Sequence, residues 1–151
     1  MEKTLTINVP DKYEIDKEKS TFKNIVFNKI GEVVIKWNAI TYAVEIAADG
    51  EHFMVDASKP SYCCSWDDAM KFHRNGIWNL PTIKQLKVLS NYFDDINANI
   101  RENGGYEIIA RWYWSCEEKD KDLARYVFMS DGYVNYSSKH DYGHVRAVCA
   151  L

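Results

Sequence analysis

Apolar and polar positions alternate with period two along the first third of the chain, and this predicts strands. Thr4 to Val9 reads T-L-T-I-N-V, with Leu5, Ile7 and Val9 on one face and Pro10 ending the run. Asp11 to Ser20 is charged, carries no such pattern, and reads as a connector. Thr21 to Ile30 alternates again, with Phe22, Ile25 and Phe27 as candidates for burial. Gly31 punctuates before a further strand from Glu32 to Trp37. Thr41 to Ala47 and His52 to Val55 flank Ala48-Asp49-Gly50-Glu51, and Asp-Gly between two apolar runs is a strong hairpin signal.

The period then changes to that of a helix. Ser65 can cap a helix carrying Trp66, Ala69, Met70 and His73, with Asp68 placed to complete a capping box and Asn75-Gly76 as the stop. Leu80-Pro81-Thr82 opens a second helix. Thr82 and Gln85 form another capping box, and Ile83, Leu86, Leu89, Phe93, Ile96 and Ile100 make one apolar stripe that ends at Asn103-Gly104-Gly105. The remainder reads as β. A β–α–α–β order with segregated helices predicts an α+β domain over 59–151, preceded by an N-terminal β region, 1–58, that serves as a subsidiary lobe or oligomerisation segment.

The last forty residues carry two interleaved sets. Trp112, Trp114, Val127, Met129, Val145 and Val148 read as buried scaffold. With Val127 and Met129 inward, Tyr126 and Phe128 point away from the core, and two rings on the outer side of one strand call for a reason. The candidate ligand-binding face is Tyr126, Phe128, Ser130, Tyr133, Asn135, Ser137, His140, Tyr142 and His144. Tyr, Ser and Asn are the residues of antibody-like recognition surfaces: rigid rings supply area at low entropic cost, and small polar groups supply adaptable hydrogen bonds.

Composition narrows the function classes. A net charge of −3 without a Lys/Arg cluster speaks against a surface that tracks phosphates, so no nucleic-acid partner is expected. No run approaches the roughly 18 apolar residues of a membrane span. The opening M-E-K-T-L-T-I-N-V-P has no apolar signal core, which leads us to expect a cytoplasmic or phage-particle protein. Cys63, Cys64, Cys116 and Cys149 fit neither a disulfide scaffold nor a zinc pattern and are expected as buried free thiols.

Catalytic and metal signals are weak. His140 and His144 are spaced for a helix but sit among Gly, Tyr and Ser, and are expected as loop histidines on the surface without a third ligand. Cys116 precedes Glu117 and Glu118, which raise a thiol pKa, the wrong direction for a nucleophile. Asp67-Asp68 and Asp94-Asp95 occupy successive helix positions, which do not face each other. The acidic run from Glu117 to Asp122 is interrupted by Lys119 and Lys121 and reads as a solvated loop rather than a calcium site. No cofactor fingerprint occurs, so no cofactor is expected.

W-N-L-P-T (Trp78 to Thr82), Y-W-S-C (Tyr113 to Cys116), Ala124, D-G (Asp131-Gly132) and V-R-A-V (Val145 to Val148) together resemble a bacterial and phage family. That family is similar to the C-terminal region of Legionella collagen-like protein. The resemblance spans about residues 62 to 151 and rests on the order of the motifs. It implies a C-type-lectin-like fold, with two helices and a mainly antiparallel twisted sheet, shared distantly with sulfatase-modifying factors and with the variable proteins of diversity-generating retroelements. The calcium-dependent sugar motifs E-P-N, Q-P-D and W-N-D are absent, as is the R-G-G-S-W block of the sulfatase-modifying enzymes. The Asn, Tyr, Ser, Asp and His bias of Tyr126 to His144 is what adenine-directed mutagenesis of Asn codons leaves behind.

The expectation is a non-enzymatic module that binds a protein or glycan surface. Two alternatives are a structural or assembly component of a phage particle or bacterial surface, with homo-oligomer contacts through the N-terminal region, and an enzyme whose catalytic groups converge from distant positions.

Overall fold

Asp49 and Gly50 both have positive φ, 52° and 79°, as a two-residue hairpin turn of the primed kind requires. They join β3 (Ile40–Ala48) to β4 (Glu51–Asp56), the expected hairpin. The structure, a computed structural model, describes residues 22–27, 33–37, 40–73 and 78–151, with side-chain surroundings for 43–71 and 78–151. The expected strand at Thr4 to Val9, the connector at Asp11 to Ser20 and the stop at Asn75-Gly76 lie outside the described residues. The burial of Phe22, Ile25, Phe27 and His73 lies outside them as well.

Strands β1 (Phe22–Phe27) and β2 (Val33–Trp37) precede the hairpin. The last strand, β10 (Val148–Ala150), returns to pair antiparallel with β4. The first sheet therefore runs β1-β2-β3-β4-β10. A second sheet holds β5 (Tyr62–Cys64), β6 (Trp112–Glu118), β7 (Leu123–Phe128), β8 (Val134–Ser138) and β9 (Gly143–Val145) in the order β5-β9-β6-β7-β8. Its pairs are antiparallel except β6 with β9. With helices α1 (Trp66–His73), α2 (Ile83–Asn91) and α3 (Phe93–Glu102), the chain is α+β.

Burial follows the alternation. Val44 and Ile46 of β3 face Val55 and Phe53 of β4 across the ladder, and all four are fully buried. They pack with Leu86, Leu89, Ile96 and Ile100 of α2 and α3, and with Tyr113, Val127, Met129 and Val148. A smaller cluster of Trp66, Ala69, Leu80, Trp114, Ala124 and Val145 lies on the other side of the second sheet, beneath α1. Among the described residues, the second sheet is thus covered on both faces over part of its area, and the part left open carries the candidate site.

The single stripe from Ile83 to Ile100 is two helices rather than one. At Tyr92 the backbone leaves the helical region (φ −113°, ψ 24°) and the chain restarts at Phe93. The break is held from outside: Asn91 Nδ2 and the Tyr92 hydroxyl donate to the two carboxylate oxygens of Asp49, at 3.1 and 2.9 Å. Thr82 and Gln85 form the expected reciprocal capping box. Ser65 Oγ accepts the Asp68 N–H at 3.3 Å, while the Asp68 carboxylate turns to Lys71.

Candidate functional site

Strand register places the candidate ligand-binding residues. Trp112 lies opposite Phe128, Trp114 opposite Tyr126, Tyr126 opposite Asn135, and Ala124 opposite Ser137. Directly opposed residues share a face. One side of the second sheet therefore carries Trp112, Trp114, Tyr126, Phe128, Asn135 and Ser137. Helix α1 covers the end nearest Trp114 and Ala124, where Trp66 Nε1 donates to the Ser115 carbonyl at 2.8 Å.

Beyond α1 the rings form a continuous strip. Trp112 meets Trp114 edge-on at 5.0 Å between centroids and Tyr126 at a tilt at 4.5 Å, and Tyr126 meets Phe128 edge-on at 5.4 Å. Edge-to-face packing of this kind fixes ring orientation and adds to burial. Trp112, Tyr126 and Phe128 are half-buried. Tyr126 and Phe128 do face away from the main core, but they rest on the tryptophans rather than standing free. Burial, and then neighbouring Tyr133, raise the Tyr126 phenol above its ordinary range. Trp112 belongs to this strip as much as to the scaffold. Its alternation with Tyr113 is legible in the sequence, and its half-exposure is not.

The strip has a glycine seat. Gly143 lies in β9 under Trp112 and Trp114, and Trp114 Nε1 donates to the Cys64 carbonyl at 3.0 Å. The ladder between β6 and β7 is interrupted after Trp114, so that Ser115 to Glu117 oppose Arg125 alone. Ser115 Oγ fills the gap, donating to the Arg125 carbonyl at 2.8 Å and accepting the Glu117 N–H at 3.1 Å.

The remaining candidate residues fall in three places. Ser130 and Tyr133 flank the turn at Gly132 (φ 73°), where Asp131 accepts the Tyr133 N–H at 2.9 Å. Tyr133 is 58% exposed and Ser130 borders a separate cleft of about 340 Å³ lined also by Ser90, Tyr92, Phe93, Asp94 and Asp95. His140 and Tyr142 are exposed in the β8–β9 loop, Tyr142 at 70%. That loop is anchored by Lys139, which is buried over Trp66 and donates to the Lys121 carbonyl at 2.9 Å, and by Ser137 Oγ bonding to Asp141.

His144 is set apart from the rest. It is half-buried in strand β9 rather than in a surface loop, and it shares the Tyr113 face of the sheet, ring against ring at 5.6 Å. Its Nε2 lies 3.3 Å from Cys63 Sγ. The cysteines are free but not uniformly buried: Cys149 is buried, Cys64 and Cys116 are intermediate, and Cys63 is exposed because β5 is an edge strand. Burial first, and then Glu117, push the Cys116 thiol up.

The acidic run has structural partners. Glu117 Oε2 accepts the Ile83 N–H at 2.6 Å at the start of α2, and Asp120 accepts the Asp122 and Leu123 N–H groups in the β6–β7 turn. Among the described residues, no three His, Cys, Asp or Glu side chains are grouped to hold a metal ion. No helix among them is long and apolar enough to cross a membrane.

Arg146 of V-R-A-V has a role that sequence reasoning missed. Its buried guanidinium donates to the carbonyls of Asp56, Lys59, Tyr106 and Glu107 and to Ser61 Oγ, over 2.7–3.2 Å. Desolvation lowers its pKa, against the opposing pull of Tyr113 and Asp56. No family model matches the chain, and no curated protein matches it.

Proposed function

We propose that this chain is a non-enzymatic recognition module whose ligand, a protein or glycan surface, docks on the strip of Trp112, Tyr126 and Phe128 and on the neighbouring Asn135. The single observation that carries this reading is the strip itself. Three rings packed in series on one face of the sheet, half-open to solvent and beside a side-chain amide, offer the preorganised stacking and hydrogen bonding that binding hot spots use. Tyr133 and Tyr142 extend the aromatic surface at its margins.

A C-type-lectin-like architecture belongs to the same proposal, and contacts among the family-like motifs support it. Asn79 of W-N-L-P-T exchanges backbone hydrogen bonds with Val148 of V-R-A-V, at 2.7 and 2.9 Å. The Pro81 carbonyl accepts the N–H of Cys116 from Y-W-S-C at 2.8 Å. Retroelement diversification of the Tyr126 to His144 stretch is consistent with its exposed Ser130, Tyr133, His140 and Tyr142, which can vary without disturbing buried Val127, Met129 and Val145.

The test is binding of the labelled chain to an immobilised glycan array and to a displayed library of bacterial surface proteins. The chain with Phe128→Ser and Asn135→Ala is run beside it, its fold checked by circular dichroism. Saturable binding that the double substitution removes is the expected result. Binding that survives it, or no saturable binding on either platform, overturns the proposal.

A further inference from the structure

Cys63 and His144 stand directly opposite each other on paired strands β5 and β9. The sulfur is 3.3 Å from Nε2, and Cys63 opens to solvent. On the other side of the ring, Nδ1 is buried with no hydrogen-bond partner among the described residues. Burial, and then the charge of Arg111, hold His144 below the ordinary imidazole range, so the neutral ring is the resident form at neutral pH.

A neutral imidazole has one proton to place. On Nδ1 it would be a buried N–H without an acceptor, an arrangement that folded proteins rarely tolerate. On Nε2 it points at the Cys63 sulfur. The geometry therefore aims a donor at the sulfur atom. Attack by a cysteine requires its anionic form, and an N–H already directed at that atom stabilises the anion.

We propose that Cys63 is a reactive thiol, primed by the Nε2–H of His144, that undergoes exchange with low-molecular-weight disulfides. The Cys63 proton leaves to solvent. The sulfur anion then attacks one sulfur of the incoming disulfide, forming a bond from Cys63 to that half as the original S–S bond breaks. The other half departs with the bonding pair as a thiolate and takes up a proton from water. Cys63 is oxidised to a mixed disulfide, and half of the incoming disulfide is reduced to a thiol.

Cys64 cannot resolve the product in place. It lies opposite Gly143, on the tryptophan side of the sheet, while Cys63 lies opposite His144 on the Tyr113 side. The mixed disulfide therefore persists until an external thiol removes it, and the appended group stays on the exposed β5 edge.

The experiment treats the reduced full chain with oxidised glutathione at pH 7.5 and follows the adduct at each cysteine by peptide mass mapping. Wild type, Cys63→Ser and His144→Leu are compared, and wild type is also run unfolded in urea. The adduct should form first at Cys63 and be absent there in Cys63→Ser. It should slow about tenfold in His144→Leu, the size of effect that one hydrogen bond to a charged group has. Folded wild type should also react faster at Cys63 than the unfolded chain, a comparison that holds even if the leucine variant fails to fold. Equal rates in wild type and His144→Leu overturn the proposal. So does a folded chain no faster than the unfolded one, or an adduct that forms as readily at Cys64 or Cys116.

Discussion

Gly143 and Trp112 are packed so closely that a β-carbon on the glycine would lie 2.3 Å from indole Cζ3. Trp114 Nε1 would be 2.7 Å from the same carbon. Both rings are pinned, Trp114 by its bond to the Cys64 carbonyl and Trp112 by Trp114 and Tyr126, so neither can swing aside freely. Gly143→Ala should destabilise the fold by about 1–3 kcal/mol, as overpacking does. It should also shift the tryptophan emission, because the strip must move. A variant as stable as wild type by urea unfolding, with unchanged emission, would mean that the strip is soft rather than preorganised.

Arg146 ties the end of β4 and the segment after it to the segment before β6 through five oxygen acceptors. Arg146→Met removes every one of those donors and leaves part-buried carbonyls without them. The expected loss is at least about 3 kcal/mol, since hydrogen bonds to charged groups contribute roughly 1.5–3 kcal/mol each and are not additive. Arg146→Lys keeps the charge but loses the planar fork, and should fall between the two. Urea denaturation of the three proteins checks the order. A lysine variant equal to wild type would show that charge alone suffices.

Asp49 does two jobs, and two substitutions separate them. Asp49→Gly keeps the left-handed backbone but deletes the bonds to Asn91 and Tyr92, and should lower the urea midpoint slightly. Asp49→Ala deletes the bonds and strains the turn, which costs about 1 kcal/mol more. The hydrogen bond to Asp49, and then its charge, hold the Tyr92 phenol above its ordinary range. Both variants should therefore ionise Tyr92 at lower pH in an ultraviolet titration. If Asp49→Gly leaves that titration unmoved, Asp49 does not hold the helix break.

What was legible in the chain was local. The Asp49-Gly50 turn and the Thr82–Gln85 capping box are each built from neighbours, so short patterns specify them. The alternation of Trp112, Tyr113 and Trp114 likewise assigned faces correctly, because strand geometry leaves no other choice. The break at Tyr92 was hidden because its partner, Asp49, is 43 positions away. The acceptors of Arg146 include groups 85 to 90 positions off, and a period cannot announce them. His144 was read with its loop neighbours. The pairing of β9 with β5 instead turned it to the back of the sheet, against Cys63.

Lowering the pH should cost stability through His144. Its folded-state pKa lies below the ordinary value of about 6.5, so the unfolded chain binds the proton more readily. The stabilisation is fully present above about pH 6.5 and is lost as the pH falls through the depressed folded value. Carboxylates held low by their partners, such as Asp120 and Glu107, act in the acid range below this window. The difference in urea midpoint between pH 7.5 and 5.5 should therefore shrink in His144→Leu. An undiminished difference would assign the pH dependence to another group.

The proposed recognition surface can vary only where it is energetically separate from the scaffold that carries it. Tyr133, His140 and Tyr142 project from turns and are exposed, so each can be replaced by Ser or Asn within about 0.5 kcal/mol of wild type. Tyr126 differs, because its ring contacts Trp112, Trp114 and Phe128 at once. Tyr126→Ser should cost about 1–3 kcal/mol. Tyr133→Asn, His140→Asn and Tyr142→Ser combined should therefore lose less stability than Tyr126→Ser alone, and thermal unfolding of the two proteins measures this directly. The reverse order would place the energetic weight in the loops, and the aromatic strip could not then be the fixed platform around which the margins change.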